Sequence, residues 1–208
     1  MEYRCVTTSV EGFVQQLAVA YITHGYWFYV AGEIPEGKDP AAVDVKLIER
    51  YGIAISKWAR CRRKKQGLAN MQYLRHDRFF VLLATKGRHE FFERECDVFR
   101  DVRRAPIKFA GYSIGCRKGR GGRWHASVRI ERDYFTDMKA WLIEWGLRRG
   151  SRSVEEEFAG LRHQPYAPIR RQLMEVWRAV NRVRHTAALE QVPIEAVPWK
   201  RRIVGPFA

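Results

Sequence analysis

Trp124, Ala126, Val128 and Ile130 alternate with His125, Ser127, Arg129 and Glu131. Only an extended strand turns residues i and i+2 to one side, so this stretch predicts a strand with an apolar and a polar face. Before it stand the apolar run Ile107 to Cys116 and the stretch Arg117-Lys118-Gly119-Arg120-Gly121-Gly122-Arg123. Glycines between two strand-like runs predict an antiparallel hairpin. A helix from about Asp133 to Leu147 follows.

The same β-β-α order occurs earlier. Met71 to Leu74 and Phe79 to Ala84 flank a turn at His76-Asp77, and a helix through Phe91 and Phe92 follows. Upstream, Tyr3 to Thr8 predicts a first strand. Thr8 stands three residues before Glu11 at capping-box spacing, and Phe13, Leu17, Ala20 and Tyr21 recur at helical intervals until Gly25. Tyr26 to Ala31 is aromatic and β-branched, which predicts a buried strand. Asp39-Pro40 predicts an N-cap and first turn for a helix reaching about Glu49 and ending near Gly52. Ser56 to Lys65 predicts a short, strongly basic helix. Beyond Gly150, Ser153 with Glu156 has capping-box spacing. Pro165 to Pro168 introduces a long helix with Ile169, Leu173, Val176, Trp177, Val180 and Val183 on one face. Val197 to Phe207 predicts an edge strand or a tail. The expected fold is therefore α+β: antiparallel β-hairpins packed with helices on one side, and a helical C-terminal region. Residues 1–150 are expected to form a basic α+β core, and 151–208 a helical extension or subdomain with a basic tail.

Charge narrows the range of partners. Lys and Arg number 38 against 23 Asp and Glu, a formal net charge of +15. Such an excess repels itself in a folded chain and is relieved by an anionic partner, for which nucleic acid is the leading class. With 46% hydrophobic and 13% aromatic residues, the chain can build a core, which excludes global disorder. Its most apolar stretch, Phe13 to Ile34, is interrupted by Gln15, Gln16, His24, Gly25 and Glu33, too polar for a membrane span, and no signal-peptide pattern accompanies it. Cys5, Cys61, Cys96 and Cys116 are scattered without a C-x-x-C pair, which disfavours a zinc ribbon and fits a reducing cytoplasm.

The cations cluster. Arg60, Arg62, Arg63, Lys64 and Lys65 form the densest run, with Lys86 and Arg88 at the end of the first hairpin. Arg117, Lys118, Arg120 and Arg123 punctuate the glycine-rich turn, where missing side chains let backbone amides approach phosphate. Arg171, Arg178 and Arg182 recur at seven- and four-residue intervals along the long helix, opposite its apolar face. All of these are candidate nucleic-acid contacts. Tyr112, Trp124 and Trp199 lie near cations, but the phase of Trp124 assigns it to the core.

The candidate catalytic residues are His76, Asp77 and His125. A histidine with an acidic neighbour moves a proton, and nearby arginines stabilise charge developing on a phosphodiester. No metal-ligand motif is present, and a nuclease would draw on Mg²⁺ or Mn²⁺. Asp44-Val45-Lys46 resembles the D/E-x-K end of restriction-type nuclease cores. Leu83-Ala84-Thr85-Lys86-Gly87-Arg88-His89 resembles the strand-to-helix junction of REP-associated transposases, a family that implies a His-hydrophobe-His metal pair, absent here, and a helical tyrosine, for which Tyr134 and Tyr166 are available. The second hairpin and its helix resemble half of a LAGLIDADG homing endonuclease without the acidic signature helix. The functional expectation is a nucleic-acid-binding protein of a mobile genetic element or defence system, binding DNA or structured RNA, alone or in a larger nucleoprotein assembly. The alternatives are a nuclease or strand-transfer enzyme, and an RNA-associated structural protein.

Overall fold

The computed structural model describes residues 3–207. The fold is α+β, with two antiparallel sheets and a helical C-terminal region. The chain divides into two compact units. One comprises Met1–Ile107, Ile114–Ala126 and Val204–Ala208; the other comprises Lys108–Ser113 and Ser127–Ile203. No helix among the described residues is long and apolar enough to cross a membrane.

In the first unit, α1 (Val10–Gln15) is capped by the Ser9 hydroxyl, which accepts from the Gly12 amide, so Ser9 and not Thr8 holds the cap. The helix continues through a π-helical turn at Gln16–Tyr21 and ends at Gly25, whose φ of 93° a side chain would resist. Strand β1 (Tyr26–Glu33) follows, then α2 (Pro40–Arg50), with Asp39 accepting from the Ala41 and Ala42 amides, and α3 (Lys57–Lys65). Strands β2 (Met71–His76) and β3 (Phe79–Thr85) form the first hairpin, turning at Asp77 (φ 49°), a left-handed conformation that aspartate tolerates better than most residues. After α4 (Phe91–Arg94), the short strand β4 (Arg100–Asp101) completes a four-stranded sheet in the order β2-β3-β1-β4. Its core gathers Tyr51, Ile53, Met71, Tyr73, Leu82 and Phe91.

Both faces of β2 are covered. Tyr73 and Arg75 turn to Asp44 of α2, while His76, on the opposite pleat, lies 6.3 Å from the ring of Phe13 in α1. The expected strand at Tyr3 to Thr8 is instead an extended segment making one parallel bridge, Val6 to Arg75. The Thr7 amide donates to the Arg75 carbonyl and the Arg75 amide to the Cys5 carbonyl, each at 2.8 Å, which occupies the open edge of β2. Residues 197–207 form no strand. Gln15 donates to the Val204 carbonyl and the Thr8 amide to the Pro206 carbonyl, holding the tail against α1.

The strand expected across 107–116 is two: β5 (Ile107–Phe109) and β6 (Tyr112–Lys118), separated by Ala110 and Gly111 at positive φ. With β7 (Trp124–Ile130) they form a sheet in the order β5-β6-β7. Helices α5 (Arg132–Arg148), α6 (Ser151–Ala159) and α7 (Ala167–Thr186) follow. Ser153 lies inside α6, so its spacing to Glu156 is not a capping box; the cap position is Gly150. In the second unit α5 packs on α7 at Gly146, where an added Cβ would lie 2.8 Å from Val180. Arg184, only 1% exposed, donates from Nη1 to the carbonyls of Gly146 (2.5 Å) and Arg149 (2.8 Å) and from Nε to Glu190 (2.5 Å). It thereby satisfies carbonyls that the C-terminus of α5 leaves without intrahelical partners. Gln172 bonds both backbone groups of Ile130, closing the end of β7.

Asp44 is the polar centre of the first unit. Its carboxylate accepts from Arg75 Nε at 2.8 and 3.0 Å, Arg75 Nη2 at 2.7 Å and the Tyr73 hydroxyl at 2.7 Å, with both ionised side chains about nine-tenths buried. Burial, reinforced by this carboxylate, pushes the Tyr73 hydroxyl well above the ordinary phenol range, so it remains a donor. The Asp44-Val45-Lys46 likeness to a nuclease motif is thus a structural anchor, with the carboxylate engaged by protein groups. Asp44→Ala leaves a buried guanidinium uncompensated and should destabilise the protein by about 3–5 kcal/mol. Tyr73→Phe should cost about 1–2 kcal/mol. Urea denaturation followed by circular dichroism measures both, and combining Asp44→Leu with Arg75→Met should recover much of the loss.

Candidate nucleic-acid interface

Helix α3 starts where the Ser56 hydroxyl accepts from the Ala59 amide, and it buries none of its residues fully. Its cations gather in the last turn, where they favour the negative end of the helix dipole. They do not all face outward. Arg60 donates to the Ile53 carbonyl at 3.0 Å, and Arg63 donates twice to the Ala69 carbonyl, so both are half-buried. Arg62, Lys64 and Lys65 are exposed. So is Trp58, at 77%.

The loop after β3 comes back to the end of this helix. The Ala69 amide donates to the Arg88 carbonyl and the Arg88 amide to the Gly67 carbonyl, both at 3.0 Å. Gly87 lies between them at φ 145°, and a Cβ there would fall 2.5 Å from the Ala69 nitrogen. Lys86 and Arg88, exposed and distant in sequence from the 60–65 run, therefore join it on one basic surface. Beneath lies an open cleft of about 800 Å³ whose lining includes Arg50, Arg63, Arg88, Glu49, Glu90 and Glu93, carrying both signs of charge.

The second hairpin presents a different arrangement. Arg117, Lys118, Arg120 and Arg123 are all placed at its tip, with Arg117, Arg123 and most of their neighbours open to water. The tip closes through Gly119 donating to the Arg123 carbonyl and Gly122, at φ 73°, donating to the Gly119 carbonyl. Trp124, assigned to the core by its phase, is half-exposed at the root of the tip. There it belongs to a ladder. The Arg103 guanidinium lies 4.4 Å from the Trp27 ring and 5.5 Å from the Trp124 ring, and the Lys118 ammonium lies 5.6 Å from Trp124. Asp101 fixes Arg103 through Nε at 2.9 and 3.1 Å and Nη2 at 2.6 Å. Tyr112, by contrast, is buried, and its hydroxyl accepts from the Gln164 amide.

Helix α7 exposes Arg171, Arg178 and Arg182. Arg170, Arg171, Met174, Arg178, Ala167 and Trp199 line a groove of about 430 Å³ beside it. Trp199 is 39% exposed.

The candidate catalytic residues fall in separate settings. His76 ends β2, an edge strand of the four-stranded sheet, with Nδ1 3.1 Å from the Thr7 carbonyl oxygen and 3.2 Å from its hydroxyl. Its Nε2 lies 3.7 Å from the Asp77 carboxylate, which points into solvent. His125 is exposed on β7 of the other sheet and packs over Gly119, whose added Cβ would meet the imidazole at 2.9 Å. Only His125 therefore stands beside a cluster of exposed cations. Among the described residues, no group of three or more His, Cys, Asp or Glu side chains converges on a shared metal position.

Trp58 and the Trp27–Arg103–Trp124 ladder were missed from sequence. A usable signal for Trp58 was present: a nine-residue helix carrying five Lys and Arg in its last six positions offers its one indole no apolar companion. No protein-family model, curated protein or solved structure matches the chain.

The ladder has a pH dependence. Burial alone would raise the Asp101 carboxyl, but hydrogen bonds from the Arg103 guanidinium and amide outweigh it and hold Asp101 below its ordinary value of 3.8. A depressed folded-state value stabilises the fold above the unfolded value and is lost as pH falls through the folded one. Acidification below about pH 4 should therefore release Arg103 and change the tryptophan emission. In Asp101→Asn that acid step should be missing, which a fluorescence titration checks.

Proposed function

We propose that this protein binds nucleic acid, DNA or structured RNA, through the solvent-facing cations of α3 with Lys86 and Arg88, of the β6–β7 tip, and of the outer face of α7. One observation carries the reading. None of the cations named for these three surfaces has a carboxylate partner among the described residues, whereas Arg75, Arg94, Arg103, Lys108, Lys139, Arg148 and Arg152 elsewhere do. Clustered like charges that are not ion-paired raise the energy of the folded chain, and a phosphate backbone relieves that repulsion while releasing its own counterions. The tip adds glycines without side chains, which let a phosphate come close to the backbone, and the flanking indoles give it a fixed base.

Cations that meet only phosphate position a polymer without reading its sequence, so binding should tolerate many sequences and depend steeply on salt. Replacing Arg117, Lys118, Arg120 and Arg123 together with Ala should weaken duplex binding. It should also flatten the plot of log affinity against log salt by about 0.9 for each phosphate that the variant no longer neutralises. The control is Arg148→Ala with Arg152→Ala, which removes carboxylate-paired surface cations and should change affinity little. Filter binding across a salt series measures both. Failure to retain any DNA or RNA at low salt would refute the reading.

A further inference from the structure

Trp58 has no hydrogen-bond or ring partner among the described residues, and the residue is 77% exposed. A large planar apolar ring in water is an unmet binding opportunity. Its neighbours define what meets it. Residues three, four and seven positions on share its face of the helix, and these are Cys61, Arg62 and Lys65, all exposed. At 1.5 Å of rise per residue, Arg62 stands about 6 Å and Lys65 about 10.5 Å along the axis from Trp58. The stripe is therefore one aromatic face followed by two cations, continued by Lys86 and Arg88 where the loop after β3 meets the helix end.

We infer that α3 is a stacking platform for an unpaired base, with Trp58 against the base and Arg62 and Lys65 on the neighbouring phosphates. The inference rests on the nucleic-acid reading and adds to it that the target includes single-stranded nucleotides. Paired bases show a protein only their edges, and a ring standing on a convex helix reaches the π-face of a base only where that base is unstacked. Other partners fit less well. The core of a protein interface is depleted of Lys and charged groups, yet Trp58 is bordered by Lys57, Arg62 and Lys65. A helix lying in a membrane surface needs a continuous apolar face, and α3 offers one bulky apolar side chain in nine residues.

The test compares short single-stranded RNA and DNA oligonucleotides with a blunt duplex, using the full chain. Trp58→Ala should lower single-strand affinity about tenfold and leave duplex affinity within about twofold. Trp58→Phe should restore most of the loss. Because Trp58 is largely exposed, circular dichroism should be unchanged in both variants. Cys61 supplies a readout independent of affinity: single-stranded oligonucleotide should slow its alkylation, while Cys96, also exposed, reports the unprotected rate and Cys5 and Cys116 are buried. Salt-sensitive binding with Cys61 unprotected, or with Trp58→Ala affecting single strand and duplex equally, would overturn the stacking platform and leave the broader reading standing. No binding of any oligonucleotide at low salt would remove both.

Discussion

The first unit depends on one buried charge pair. Asp44 and Arg75 hold α2 against an edge strand of the four-stranded sheet, and Tyr73 completes the carboxylate's hydrogen bonds. Burying two ions is costly, so the arrangement persists only because the guanidinium is met twice over and its remaining donor, Nη1, reaches the Asp77 carbonyl at 2.5 Å. That last bond also shapes the hairpin turn. Arginine suits this place better than lysine, since a rigid planar fork meets a carboxylate and a carbonyl at once. The second unit uses the same chemistry without a carboxylate: Arg184 is buried against three carbonyl oxygens and joins the end of α5 to the segment after α7.

The positive charge of this chain consequently has three fates. Some arginines are internal fasteners. Arg103 is held between two indoles by a carboxylate. Others stand in water, several of them gathered on α3 and its adjoining loop, on the hairpin tip and on α7. A formal charge of +15 treats all of these alike. The distinction matters because removal of a fastener costs stability, whereas removal of a solvated cation mainly changes what the surface attracts.

Features set by a few adjacent residues were legible in the sequence. Gly25, Asp39-Pro40 and Ser56 each punctuate a helix by local backbone chemistry, and the structure has each where expected. Alternation at 124–130 pointed correctly to the strand but not to its depth. Ser127 is buried beside Val128 while Trp124 emerges near the tip, because a strand leaving the core exposes both of its faces. What could not be read was which cations turn inward. Arg60, Arg63 and Arg184 sit among exposed arginines in sequence and are distinguished only by carbonyls brought to them through tertiary folding. The split of 107–116 into two strands was likewise hidden, since it hangs on positive φ at Ala110 as well as Gly111.

Gly87 shows how closely the α3 surface is specified. The chain passes so near residues 67–69 that a single methyl group would have to occupy the space of backbone atoms. Any other residue would wedge the loop away from the helix end and part Lys86 and Arg88 from Arg62, Lys64 and Lys65. The spacing of that cationic surface is therefore set by a missing carbon atom, and alanine at 87 would alter its geometry without altering its charge.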